Sequence, residues 1–186
     1  MKIEDIKKLK SMTGVGITDA KKALEEAGGD FDKALEAMRI KGQAKADKRA
    51  AREAKAGLVD AYIHSGRIGV VVEVNCETDF VAKTDEFKNY VHEMAMQIAA
   101  SAPLFVDKDS VPKKDLDKET ELIKKELKES KKPKEVQDKI LEGRLEKWYE
   151  EVCLMNQPYI KDPEVKVEEL TKELIAKLGE NIVVSQ

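Results

Sequence analysis

The sequence predicts an α+β protein. A helical module at the N-terminus leads through a helical linker to an α+β core with a small antiparallel sheet and a helical hairpin. Three observations carry this. Short helical patterns broken by glycines fill residues 3–38, two β-rich runs flank Ser65-Gly66, and residues 107–151 alternate charge with apolar positions at helical spacing.

In the first segment Ile3, Ile6 and Leu9 recur on one helical face, and Thr13-Gly14-Val15-Gly16 stops that helix. Thr18 is the expected N-cap of a second helix carrying Ala20, Ala23, Leu24 and Ala27, which Gly28-Gly29 ends. Asp30 caps a third, with Phe31, Ala34, Leu35 and Met38 on one face. From Arg39 to Lys55 the chain is rich in Ala, Lys and Arg and too poor in large apolar residues to fold alone. It reads as a helical linker whose charges either dock an acidic partner or stay solvated.

Residues 58–63 and 68–74 are the two strands of a hairpin turned at Ser65-Gly66. Thr84 then caps a helix with Asp85 and Glu86 in its first turn and an apolar face of Phe87, Tyr90, Val91, Met94, Ala95, Ile98 and Ala99. Pro103 ends it, and Leu104-Phe105-Val106 is a candidate short strand. Leu116, Ile123 and Leu127, then Leu141, Leu145, Trp148 and Val152, mark a helical hairpin whose second arm starts at Pro133. Leu170, Leu174, Ile175 and Leu178 define a last helix stopped by Gly179, with Ile182-Val183-Val184 a terminal strand. The expected division is a helical module at 1–42, a basic helical linker at 43–56 and the core at 57–186.

Composition narrows function. Lys and Arg number 34 against 37 Asp and Glu, a net charge of -3, which argues against stable nucleic-acid binding because neutralising phosphates needs a cationic surplus. No apolar run approaches the about 20 residues of a membrane span. The acidic start Met1-Lys2-Ile3-Glu4-Asp5 lacks the apolar stretch of a signal peptide, so the chain is expected in the cytoplasm with Cys76 and Cys153 as reduced thiols. His64 and His92 are the sole histidines and neither stands near a cysteine in sequence, so no metal site or cofactor is expected. Gly14-Val15-Gly16 lacks a preceding strand, and Asp19 stands where a dinucleotide fingerprint has its third glycine. No nucleophile, base and orienting acid share a recognisable context, and the enzyme reading finds no support. Phe80, a lone large aromatic in the polar turn after the second strand, either caps the core or projects as an anchor for a partner. The residues alone leave both open.

Asn75-Cys76-Glu77-Thr78-Asp79-Phe80-Val81-Ala82-Lys83 resembles the signature of the elongation factor Ts family. So do the run from Met12 to Asp30, the block Met38-Arg39-Ile40-Lys41-Gly42, and Lys132-Pro133-Lys134-Glu135 through Leu141-Glu142-Gly143-Arg144-Leu145 to Gln157-Pro158, all in family order. The resemblance implies that the N-terminal module is a three-helix bundle of ubiquitin-associated type, docking on the GTPase domain of elongation factor Tu. It implies that Thr78, Asp79, Phe80 and Val81 form the element that dislodges magnesium from the bound nucleotide, with Phe80 the wedge and Asp79 its polar companion. Lys21, Arg49, His64, Leu178 and Gly179 match further contact points. Longer family members carry a second core subdomain where this chain has one, so the likeness is to a short-chain form in which two copies associate through a dimerisation-type core. A ubiquitin-associated adaptor without exchange activity is the rival reading. It leaves residues 75–83 unexplained, and Thr13-Gly14-Val15-Gly16 lacks the Met-Gly-Phe/Tyr loop usual in such adaptors.

Overall fold

A computed structural model describes residues 2–129 and 133–185, so Lys132 of the third matching stretch lies outside the described residues. The chain forms two compact units. The first takes the chain up to Tyr62, then Val71–Ala95, then the chain from Glu168 on; the second takes Ile63–Val70 and Met96–Val167.

The first unit opens with three helices, α1 (Ile3–Thr13), α2 (Ile17–Glu26) and α3 (Phe31–Arg49). Leu9, Ala20, Ala23, Leu24, Ala34 and Met38 are buried together, with Ile6, Val15, Ala27, Phe31 and Leu35 packed around them. Small alanines at the contacts let short helices approach closely, which is how so few large side chains close a core. Gly14, at φ 68, ends α1 by returning its N–H to the Lys10 carbonyl. The Asp30 carboxylate accepts from the N–H groups of Asp32 and Lys33, both at 3.1 Å, and starts α3.

Two expectations need correction here. The N-cap of α2 is Gly16, not Thr18: the Gly16 carbonyl already receives the Ala20 N–H at 3.0 Å, so Thr18 lies inside the first turn. Nor does helix extend through residue 56. It ends at Arg49, because the Asn181 side-chain amide takes the carbonyls of Ala50 (3.3 Å) and Arg52 (2.7 Å) and turns the chain toward the sheet.

The sheet has strands in the order β1 (Ala56–His64), β2 (Ile68–Cys76) and β5 (Ile182–Val184). Ser65 (φ 50), Gly66 (φ 68) and Arg67 form the three-residue turn between β1 and β2, within which the Arg67 N–H donates to the His64 carbonyl at 3.0 Å. β5 runs antiparallel to β2 with Val74 opposite Val184, Asn75 opposite Val183 and Cys76 opposite Ile182. Alternation assigns the faces: Val72, Val74, Cys76, Ile182 and Val184 are buried, whereas Val59, Val71 and Val183 are exposed.

After a single helical turn, α4 (Asp79–Ala82), the long helix α5 (Asp85–Ser101) begins with the Thr84 hydroxyl accepting from the Phe87 N–H at 3.3 Å. Phe87, Tyr90, Val91, Met94 and Ala95 are buried as the periodicity requires. The Tyr90 hydroxyl meets the Thr171 hydroxyl of α8 (Val167–Leu178) at 2.6 Å, so this buried polar atom is satisfied.

The second unit holds the helical hairpin, α6 (Lys113–Glu129) and α7 (Lys134–Val152). Ile123 and Leu127 of α6 are buried. Pro133 is the N-cap of α7, one position before the first turn, and its carbonyl receives the N–H groups of Val136 and Gln137 at 3.0 Å each. The segment Leu104-Phe105-Val106 makes one bridge, Phe105 to Cys153, and no strand, since the N–H groups of Leu104 and Phe105 both go to the Val152 carbonyl. A hairpin of β3 (Pro158–Tyr159) and β4 (Asp162–Lys166) follows. The buried Gln97 amide holds its turn, donating to the Pro158 carbonyl at 3.2 Å and accepting the Ile160 N–H at 2.9 Å. Among the described residues no helix is long and apolar enough to cross a membrane.

Candidate functional site

The segment after β2 is shaped by what it buries. Thr78 is extended (φ -133, ψ 155) and the chain then winds into α4, where the Thr78 carbonyl receives the Ala82 N–H at 3.3 Å. Val81 and Ala82 turn inward and are buried. Successive side chains on a helical turn point about 100° apart, so burying those two swings Phe80 outward. It is 81% exposed, the most exposed large apolar side chain of the described residues. The hydroxyl and N–H of Thr84 both bond the Val81 carbonyl, at 2.8 and 3.0 Å, which ties the far end of the turn to the start of α5.

Asp79 stands beside Phe80, paired with Lys83 at 3.0 Å with both side chains in solvent. The Lys83 ammonium and a backbone N–H hold its carboxyl below the ordinary carboxylate range. Beneath the turn, the Cys76 thiol donates to the Thr78 carbonyl at 3.1 Å, and burial pushes its pKa up, so it is an inert packing group. Among the described residues no three His, Cys, Asp or Glu side chains gather to hold a metal ion.

The other candidate residues distribute unevenly. Leu178 is the last residue of α8, and Gly179 (φ 82) closes the helix with its N–H on the Ile175 carbonyl at 2.9 Å. The Arg49 guanidinium reaches the same carbonyl at 3.4 Å, setting a cation at the negative end of the helix dipole. Glu180 follows directly, and its carboxylate grips Thr78: Oε2 accepts the Thr78 N–H at 2.9 Å and Oε1 the Thr78 hydroxyl at 2.6 Å. Thr78–Val81, Leu178, Gly179 and Arg49 are therefore brought to one place, the C-terminal end of α8. Lys21 is outside this set, on the solvent side of α2 in a pair with Glu25 at 3.6 Å. His64 ends β1, exposed, in the second unit.

Glu77, Glu180 and Asn181 were not legible as site residues. The signal that could have found them is register: if the β2–β5 pairing continued, Glu77 would face Asn181 and Thr78 would face Glu180.

Comparison with known proteins agrees along the whole chain. The family model described as Elongation factor TS matches residues 2–185. Elongation factor Ts of Thermoanaerobacter sp. (strain X514) is 57% identical over 180 residues, 96% of this chain and 88% of the relative. The Thermotoga petrophila protein of that name is 54% identical over 182 residues, 97% and 90%. That of Thermodesulfovibrio yellowstonii is 50% identical over 179 residues, 96% and 89%. Agreement of this depth over nearly every residue leaves one assignment, and the chain belongs to the elongation factor Ts family.

Proposed function

We propose that this member of a translation elongation factor family is a guanine-nucleotide exchange factor. It binds elongation factor Tu carrying GDP, disturbs the magnesium site and promotes GDP release so that GTP can bind. The observation that carries this reading is Phe80: a large aromatic held 81% exposed on a turn whose next two residues are buried. An aromatic in water is costly unless a partner covers it, and fixing its turn lowers the entropy lost on docking. Asp79 acts beside it, and Lys21, Arg49, His64, Leu178 and Gly179 are further contact points. No cofactor and no covalent step is involved, so the chain is not an enzyme.

Linkage supplies the mechanism. Nucleotide and exchange factor favour different arrangements of the same GTPase, so each weakens the other's binding by an equal factor. Wedging Phe80 into the magnesium-coordinating region removes the cation that neutralises the phosphates, and the nucleotide loses charge compensation along with its contacts. We further propose the modular division at 1–42, 43–56 and 57–186, a homodimer formed through the core, a cytoplasmic location, and no stable nucleic-acid binding.

The test is release of labelled GDP from elongation factor Tu. The protein should accelerate release, and Phe80→Ala should lose most of that acceleration. Release at the unassisted rate with the parental protein refutes the reading.

A further inference from the structure

We infer that Glu180 is the positioning residue of the Phe80 wedge, working through a side-chain continuation of the β2–β5 ladder; this rests on the exchange reading above. Backbone pairing of the two strands stops at Cys76 and Ile182. The next two facing positions are still joined, but by carboxylates in place of carbonyls. Glu77 Oε1 accepts the Asn181 N–H at 2.7 Å, and Glu180 accepts both the N–H and the hydroxyl of Thr78. The two acids brace each strand from the opposite side.

The brace is seated at both ends. Asn181 is buried, and its amide donates to the carbonyls of Ala50 and Arg52. The Arg52 guanidinium meets Glu77 at 3.4 Å. Thr78 is the residue from which α4 starts, and its carbonyl receives the Ala82 N–H, so whatever fixes Thr78 fixes the direction in which Phe80 leaves the turn. A single helical turn is too short to hold itself, because nucleation is unfavourable without outside support. A bidentate grip by an ionised acceptor supplies that support, as charge-assisted bonds are about twice as strong as neutral ones. Glu180 thus acts on the exchange reaction without touching the nucleotide.

The experiment is a cycle of four proteins, parental, Glu180→Ala, Phe80→Ala and the double variant, assayed by GDP release from elongation factor Tu, with Glu180→Gln as the conservative control. A charge-assisted bond is worth about 1.5–3 kcal/mol, so losing the grip should slow stimulated release by about tenfold or more. Glu180→Gln should restore most of the rate, since its amide can still accept the Thr78 N–H while its NH2 donates to a rotated hydroxyl. In the Phe80→Ala background, Glu180→Ala should add nothing. Hydrogen exchange of the amides of residues 78–84 should rise in Glu180→Ala and not in Phe80→Ala. If Glu180→Ala does not fold, Thr78→Val removes the hydroxyl at equal volume and takes its place in the cycle. Parental release by Glu180→Ala with slow release by Phe80→Ala overturns the brace and leaves the wedge standing. Effects that multiply in the double variant overturn it too, because Glu180 would then act independently of Phe80. Parental release by Phe80→Ala refutes the wedge, and the brace falls with it.

Discussion

Phe80 and Phe87 are close in sequence and chemically identical, yet one is in water and the other is 0% exposed. Truncating them should separate function from folding. Phe87→Ala removes a fully buried ring and should cost about 3–5 kcal/mol of stability, seen as a large drop in melting temperature. Phe80→Ala should melt near the parental temperature while losing about 2 kcal/mol or more of binding to the GTPase, roughly a thirtyfold weaker complex by titration. Asp79→Ala should be milder, because its carboxylate is solvated and already paired with Lys83. A second residue-scale outcome concerns the thiols. Burial raises the Cys76 pKa, and burial with the nearby Asp107 pushes Cys153 to about 11. At pH 8 both are almost wholly protonated, so the folded protein should react slowly with a thiol reagent and quickly once unfolded in denaturant. From the residues alone the exposure of Phe80 stayed open, and only the family resemblance implied it, because exposure depends on which neighbours are buried and a four-residue turn has no period to read. Its brace was illegible for another reason: Glu77 and Glu180 find their partners, Asn181 and Thr78, only through a pairing between segments 104 and 102 residues apart in sequence.

At the scale of elements, one close contact is where the α1–α2 turn meets α8. A Cβ on Gly14 would fall 2.5 Å from the Lys177 Cγ and 2.6 Å from its Cα, and Gly14 also has a left-handed backbone. Gly16, in the same turn, has nothing within 4 Å. Gly14→Ala should therefore destabilise by about 1–3 kcal/mol through overpacking, with roughly 1–2 kcal/mol of backbone strain added. Gly16→Ala should cost about 0.5 kcal/mol, because glycine is itself only a fair N-cap. Paired thermal melts would check this, and equal losses would disprove the contact. Elements with strong caps and long apolar faces, such as α3 behind Asp30 or α5 behind Thr84, were legible because local chemistry and packing point the same way. The β3–β4 hairpin was not, since Asp162, Pro163 and Glu164 suppress the strand signal and a buried Gln97 from a distant helix holds its turn.

For the whole molecule, the outer face of the sheet bears on assembly. Val59, Val71 and Val183 are 59%, 70% and 41% exposed on three adjacent strands. Exposed apolar side chains of that kind are what a second copy would cover in the proposed homodimer. Light scattering at micromolar concentration should give twice the 20.9 kDa chain mass, and Val71→Lys should shift the population to monomer. Monomer throughout would remove the dimer from the account. The pairing of β2 with β5 also sets an order of events during synthesis. The three N-terminal helices and the β1–β2 hairpin close short loops and can form as soon as they leave the ribosome. β2 waits for residues 182–184, so its outer edge stays unpaired while more than half of the chain is still being made. Glu180 reaches Thr78 at the same late stage. If the proposed brace holds, a nascent chain exposes Phe80 without aiming it, and a message cut short before Glu180 should yield a protein that carries the proposed wedge but uses it poorly.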